Sequence, residues 1–174
     1  IRDIESGNQV IGVAPRIYGP SLAYGKNKTF PAQTIGIDPE RESKTTRLKD
    51  KITQGQYFTN TLTTSQMHPA MIGFSLAKNL NLSLGDELVL ISQGADGSIA
   101  NDVFEITAIL GNSTSYESGN VYLTLVAIRE FLTLGDQVHE LAITLPHQEQ
   151  ARYFSIQLQE KLKEQELSVA PWQV

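Results

Sequence analysis

Cysteine is absent from the 174-residue chain, which excludes disulfides, thiolate zinc sites and cysteine nucleophiles together. Its absence fits an oxidising compartment without requiring one. Histidine is scarce: His68, His139 and His147 lie far apart and show no metal-ligand spacing such as a helical i, i+4 pair. Surface or strand-edge positions are expected for them. Gly19, Gly25 and Gly36 form neither a GxGxxG fingerprint nor a Walker loop, so no phosphate cradle and no nucleotide cofactor is expected. No apolar run long enough for a transmembrane helix occurs, and no positively charged leader opens the chain. The first residue is Ile1 rather than methionine, which suggests a processed or excised fragment. Basic residues are in deficit, 14 against 19 acidic for a net charge of −5. This disfavours nucleic acid or an anionic membrane surface as partner.

What is present is ordinary globular composition, 40% hydrophobic and 19% charged, in a chain long enough to bury a core as one domain or two small subdomains. The stretch Gln33–Phe58 organises the rest. Thr34–Ile37 alternates like a strand, and Asp38-Pro39-Glu40 stops it, because proline cannot donate to a ladder. The mixed-sign residues that follow, with Leu48 and Ile52 four apart, predict a short amphipathic helix. Gly55 breaks that pattern ahead of Tyr57-Phe58.

Taken in order, Val10–Ile17 predicts a strand, Tyr18-Gly19-Pro20 a turn, and Leu22–Tyr24 the returning strand. Gly25–Lys28 predicts a second turn before a strand over Phe30–Ile37. Thr59–Ser65 reads as loop, and Met71-Ile72 as a strand leading into a helix through Phe74, Ala77 and Leu80, with Gly85 as its C′ residue. Glu87–Ser92 and Val103–Leu110 predict a hairpin closed by Gly94-Ala95-Asp96-Gly97. After a polar loop, Tyr122 opens a short strand and a helix through Phe131-Leu132, closed by Gly135-Asp136. Val138–Leu145 then alternates like a strand, and Gln148–Gln165 carries the clearest helical stripe, Ala151, Phe154, Leu158 and Leu162. Leu167–Ala170 predicts a last strand. The echo of Leu82-Ser83-Leu84-Gly85-Asp86 in Leu132-Thr133-Leu134-Gly135-Asp136 reflects shared helix-to-strand turn chemistry rather than duplication.

Chemistry-bearing patterns are weak. Gly73-Phe74-Ser75-Leu76-Ala77 is a degenerate nucleophile elbow without its second glycine; Ser75 is the one candidate nucleophile, and a first-turn helical serine is the alternative. Asp38 and Glu40 could act as paired carboxylates for acid–base work or a divalent cation, or Asp38 could bond local amides in a turn. The Asn-x-Ser/Thr triplets at Asn27, Asn81 and Asn112 are short enough to arise by chance. No catalytic, cofactor or metal set emerges, and the chain reads as a scaffold or docking domain.

Three further patterns, in order, carry a resemblance: Ile37-Asp38-Pro39-Glu40-x-Glu42 followed by Leu48, Ile52, Gly55 and Tyr57; Ile72-Gly73 through Leu76, Ala77, Leu80, Leu82, Gly85, Asp86 and Leu88; and Pro171-Trp172-Gln173. Nearly the whole chain resembles the extracytoplasmic core domain of ABC permeases related to the macrolide exporter MacB and the lipoprotein-releasing (FtsX-like) permeases. The resemblance implies an α+β fold in two subdomains, a mixed lobe from residues 1–50 and 122–174 and an inserted, mainly β lobe from 51–121. It marks Asp38, Pro39, Glu40, Gly55, Gly73, Gly85, Asp86 and Trp172 as structural motif residues. It also implies a non-catalytic periplasmic domain of a bacterial inner-membrane protein, coupling ATP-driven helix motion to export or lipoprotein release. Its partners would be its own transmembrane helices, a cytoplasmic ATPase, a homo- or heterodimeric permease partner and a periplasmic carrier or adaptor. Lipoprotein-releasing relatives carry a projecting carrier-docking loop at the position of Leu134, Gly135, Asp136 and Gln137; here the segment resembles the short type that does not dock the carrier, without a proline extension. A free-standing periplasmic ligand-binding module and a Ser75–histidine hydrolase are the competing readings.

Overall fold

In a computed structural model, which describes Ile4 and residues 10–172, eight strands join in one sheet. They are β1 Gly12–Gly25, β2 Lys28–Ile37, β3 Ile52–Gly55, β4 His68–Gly73, β5 Glu87–Gln93, β6 Ile99–Leu110, β7 Asn120–Thr124 and β8 Glu140–Thr144. The helices are α1 Pro39–Thr45, α2 Phe74–Leu80, α3 Leu125–Phe131 and α4 Ala151–Lys161. Pairing runs β2-β7-β4-β6-β5-β1 and returns from β1 to β2, so six strands close into a ring; β8 adds to β1 and β3 to β6. Closure leaves the ring without a free edge, the commonest route to unwanted strand pairing. The α+β class expected from the sequence holds. Strands from both chain segments alternate in this sheet: β7 pairs with β4, and β1 with β5.

Three neighbouring strands, β2, β7 and β4, each run straight into a seven-residue helix, α1, α3 and α2. The entry chemistry differs at each. Asp38 caps α1 by accepting from the amides of Glu40 and Arg41 at 3.0 and 3.1 Å, and Pro39 sits at the first helical position, where no N–H is needed. Thr124 caps α3 through the Ala127 amide at 3.2 Å. Gly73 enters α2 with no side-chain cap. Asp38 is thus a cap, as the turn reading predicted, and replacing it with alanine is expected to lower stability by about 1 kcal/mol, readable by chemical denaturation.

Pleat alternation splits the core into two clusters. Ala70, Ile72, Val121, Leu123, Phe104 and Ile106 face one side, where α2 and α3 add Leu76, Leu80, Ile128 and Phe131. Met71, Tyr122, Ala108 and Leu110 face the other, covered by Leu48 from the connector after α1 and by Phe58 after β3. Between β4 and β6 the register jumps from Ala70↔Ile106 to Met71↔Ala108, which leaves Thr107 as an extra residue in a bulge.

Several expectations need correction. The turn at Tyr18-Gly19-Pro20 does not form; β1 runs unbroken through it. Pro20 lies between the stretch paired with β8 and the stretch paired with β5, on the side where its missing N–H would have no ladder partner. The turn at Gly25–Lys28 does form, a two-residue hairpin with Lys26 and Asn27 at φ 43° and 70°. The helix after Asp38 ends at Thr45, Leu48–Lys51 is a 3-10 turn, and Ile52 starts β3. Gly85 has the expected positive φ, but α2 has already ended at Asn81, itself left-handed at φ 56°. Likewise α3 closes at Leu132, before Gly135-Asp136. The C-terminal helix is shorter than predicted, its stripe is only half-buried, and Ser155 is its one buried side chain among the described residues. No strand forms over Leu167–Ala170: the Gln159 amide satisfies the Leu167 carbonyl at 3.0 Å and the Val169 N–H at 2.7 Å.

Candidate functional site

Among the described residues no base pairs with the candidate nucleophile. The Ser75 hydroxyl pairs with Ser118, while His68 pairs with Glu130 at 2.9 Å, the His139 Nδ1 accepts from the Tyr18 amide at 2.9 Å, and His147 faces Glu149 at 4.0 Å. No cluster of three or more potential metal ligands occurs among the described residues. Asp38 and Glu40 do not converge on an ion, since the Asp38 Oδ1 is occupied by helix amides.

A buried ionic network holds α1 against β1. Arg16 Nη2 and Nε donate to the two Glu42 oxygens at 2.7 and 3.3 Å, the Thr46 hydroxyl donates to Glu42 at 2.7 Å, and Glu42 is 2% exposed. Arg16 Nη1 reaches on to Glu140 of β8 at 3.3 Å, and the Tyr18 hydroxyl donates to the same carboxylate at 3.0 Å. Burial alone would lower the Arg16 pKa, but the hydrogen bonds and charge of Glu42 outweigh it and hold the guanidinium above its ordinary value. Thr144 of β8 also donates to the Thr45 carbonyl at 2.5 Å. The helix that the Asp-Pro-Glu motif opens is thereby locked to the β1/β8 ribbon. Arg16 was the readable signal here, since a lone charge inside the apolar run Val10–Ile17 requires a carboxylate partner; that partner's position was not readable.

The motif glycines have distinct jobs. A Cβ on Gly73 would lie 2.0 Å from the Glu117 carbonyl oxygen, and one on Gly55 2.1 Å from that of Thr107, whereas Gly85 has open space but a φ of +81°. Next to Gly85, the Asp86 carboxylate accepts from the Ser83 amide and from Lys26, both at 2.8 Å. The Lys26 hydrogen bond, then the Ser83 amide, depress its pKa. Asp86 therefore contributes stability above its unfolded pKa, near 4, that disappears as pH falls through the lower folded value. The Tm of an Asp86→Asn variant is expected to differ from that of the parent at neutral pH and to converge on it in acid. Trp172 is 97% exposed and belongs to neither core cluster, and Gln173 lies outside the described residues.

The predicted docking loop is anchored at its base. The Leu134 amide donates to the Arg129 carbonyl at 2.9 Å, Arg129 Nη2 donates to the Asp136 carbonyl at 3.1 Å, and the Leu132 carbonyl accepts from Ala95 at 2.8 Å. Leu134 is half-buried, and Gly135, Asp136 and Gln137 are exposed. Beside the loop lies a wide, open groove of about 750 Å³, whose lining includes Pro20, Leu22, Pro31, Ile91, Leu134 and His139.

The sequence profile of the MacB-like periplasmic core domain matches residues 1–161. This chain belongs to that family. Its fold is shared by the periplasmic region of MacB from Actinobacillus actinomycetemcomitans, at TM-score 0.64 and 17% identity, covering 94% of this chain and 71% of that one. The extracellular domain of the noncanonic ABC-type transporter YknZ from Gram-positive bacteria aligns at TM-score 0.66 and 12% identity, over 93% and 81% of the two chains. A domain of a putative permease protein from Porphyromonas gingivalis gives TM-score 0.54 and 17% identity, over 98% and 81%. No curated protein matches. As a MacB-like periplasmic core domain, the chain is part of an ABC transporter permease, a class with transmembrane helices and an ATPase partner. No helix among the described residues is long and apolar enough to cross a membrane.

Proposed function

We propose that this domain carries motion from the transmembrane helices of its permease to a cargo or partner on the periplasmic face of a bacterial inner membrane, as one body and without bond-making chemistry. The observation that carries this reading is the closed six-stranded ring, with α1 locked to its β1/β8 ribbon by the Arg16–Glu42 pair. A ring with no free edge and a packed core resists deformation, so displacement at the ribbon moves the whole body. In this reading residues 1–50, 51–121 and 122–174 move together. The permease works as a dimeric pair driven by a cytoplasmic ATPase, in export or in lipoprotein release. The loop Leu134–Gln137 meets a periplasmic adaptor by surface contact, being too short to clasp a carrier. An enclosed ligand site is not what the open groove offers.

Deleting residues 12–161 from the full-length permease, joined by a flexible linker and expressed with its ATPase, is expected to abolish transport while basal ATP hydrolysis persists. Transport that survives the deletion, or ATP hydrolysis that collapses with it, refutes the coupling role.

A further inference from the structure

One strand outruns the ring. The Phe104–Leu110 stretch of β6 pairs with β4, but Ile99–Val103 pairs with β5 alone and no strand lies along its other side. The edge that closure removes from the ring therefore reappears on this projecting hairpin. The bonds at its two ends fix which backbone groups face outward. The Gly94 amide donates to the Ser98 carbonyl at 2.9 Å and the Ile106 amide to the Asp86 carbonyl at 3.0 Å. Stepping by two residues between them, Ala100 and Asp102 exchange bonds with β5, and the backbone groups of Ile99, Asn101 and Val103 point to the open side. The Val103 N–H is taken by the Asp102 carboxylate at 2.8 Å; those of Ile99 and Asn101 have no partner among the described residues. The stretch has neither proline nor lysine to guard it. Ile99, at 82%, is the most exposed large aliphatic side chain among the described residues.

The sequence Ile99-Ala100-Asn101-Asp102-Val103 is complementary to itself. Laid antiparallel on a second copy about a two-fold axis at Asn101, it sets Ile99 against Val103, Asn101 against Asn101 and Asp102 against Ala100. The apolar side chains meet each other and the two carboxylates are not opposed. The bonding parity fits as well, because outward residues face outward residues. Asn101 exchanges both its backbone bonds with its copy, and the Ile99 N–H reaches the Val103 carbonyl, with the bond from Val103 to Asp102 left in place. A slip of one residue breaks that parity. A slip of two either opposes the two Asp102 carboxylates or sets Ile99 against Asn101.

We propose that two copies of this domain join edge to edge along Ile99–Val103, across a two-fold axis at Asn101. This rests on the reading that the permease works as a pair, in its homodimeric form: so short an edge is no stable interface alone, and the shared complex supplies the effective concentration. The chain has no cysteine of its own, so introduced ones report cleanly. They are placed in the full-length permease, freed of any other cysteine and expressed with its ATPase, and membranes are oxidised and scored for covalent dimers. Asn101→Cys is expected to cross-link to itself, and Ile99→Cys to a co-expressed Val103→Cys, because residues so opposed lie about 5.5 Å apart at Cα, within disulfide reach. Ile99→Cys alone is expected not to cross-link, since its two copies stand about 13 Å apart along the strands. Asn101→Pro removes the central N–H without touching a bond to β5, and is expected to slow the 99–103 cross-link about tenfold or more. Ile99→Cys that cross-links alone as fast as the 99–103 pair, or a proline without effect, overturns the proposal. Absence of the 101 and 99–103 cross-links while differently tagged copies co-purify overturns the edge and leaves the paired permease standing. Tagged copies that do not co-purify overturn the homodimeric reading with it.

Discussion

Alanine in place of Glu42 is expected to cost about 3–5 kcal/mol, the range for removing one partner of a buried ion pair, which is a large share of a typical domain's total stability. The reason is local. Arg16 loses its two contacts to Glu42, at 2.7 and 3.3 Å, and keeps the outer one to Glu140, the Thr46 hydroxyl loses its acceptor, and the guanidinium stays in a half-buried site shaped around a carboxylate. For a domain of this size the loss corresponds to a fall in Tm on the order of 10 °C. Two companions make the measurement specific. Glu140→Gln removes the outer contact at 3.3 Å, whose carboxylate is 47% exposed, and should cost under about 1 kcal/mol. The double variant Arg16→Met, Glu42→Leu should recover much of the loss, because it leaves no buried charge unpaired. A Glu42→Ala protein as stable as the Glu140→Gln protein would show that the network does not lock α1.

What could be read in advance follows from how local each cause is. The three strand-to-helix units were legible because their signals sit within a few residues: Asp38-Pro39-Glu40 stopping a strand with a turn in which Asp38 bonds local amides, Gly73 ahead of a helical pattern, and a short strand from Tyr122 leading into the helix through Phe131-Leu132. The hairpin at Lys26-Asn27 was legible for the same reason. The long β1 was not, because Gly19-Pro20 is strong turn chemistry when isolated; only the spacing of β8 and β5 along β1 makes room for a proline without its N–H. Ring closure depends on β1 meeting β2 and β5 at once, a non-local fact that no segment carries. The same holds for the groove, whose lining comes from β1, β2, β5 and the loop after α3. The 134–137 loop was marked by resemblance, while the clamp that Arg129 places on the Asp136 carbonyl depends on how α3 turns back.

The motif glycines separate two costs that sequence comparison cannot distinguish. Gly85→Ala meets nothing within 4 Å, so it pays only for a φ of +81°, about 1 kcal/mol. Gly73→Ala keeps an ordinary backbone at φ −71° but drives a methyl into the Glu117 carbonyl and Ser118 carbonyl carbon at 2.0 and 2.4 Å. Those are main-chain atoms of a 3-10 turn, so relief means moving that turn, about 2–3 kcal/mol. Gly55→Ala combines both terms, a φ of +80° and the Thr107 carbonyl oxygen at 2.1 Å, and is expected to cost about 3–4 kcal/mol. Thr107 is the bulged residue of β6: its carbonyl accepts from Gln56 at 3.0 Å and its hydroxyl donates to the Ala70 carbonyl at 3.3 Å, so it is pinned from the residue that follows β3 and from β4. Denaturant midpoints of the three variants should fall in the order Gly85, Gly73, Gly55, from mildest to most severe. If Gly55→Ala were no worse than Gly85→Ala, the bulge would be yielding to the methyl, and β3 would not be the fixed strap over the second core cluster that its contacts describe.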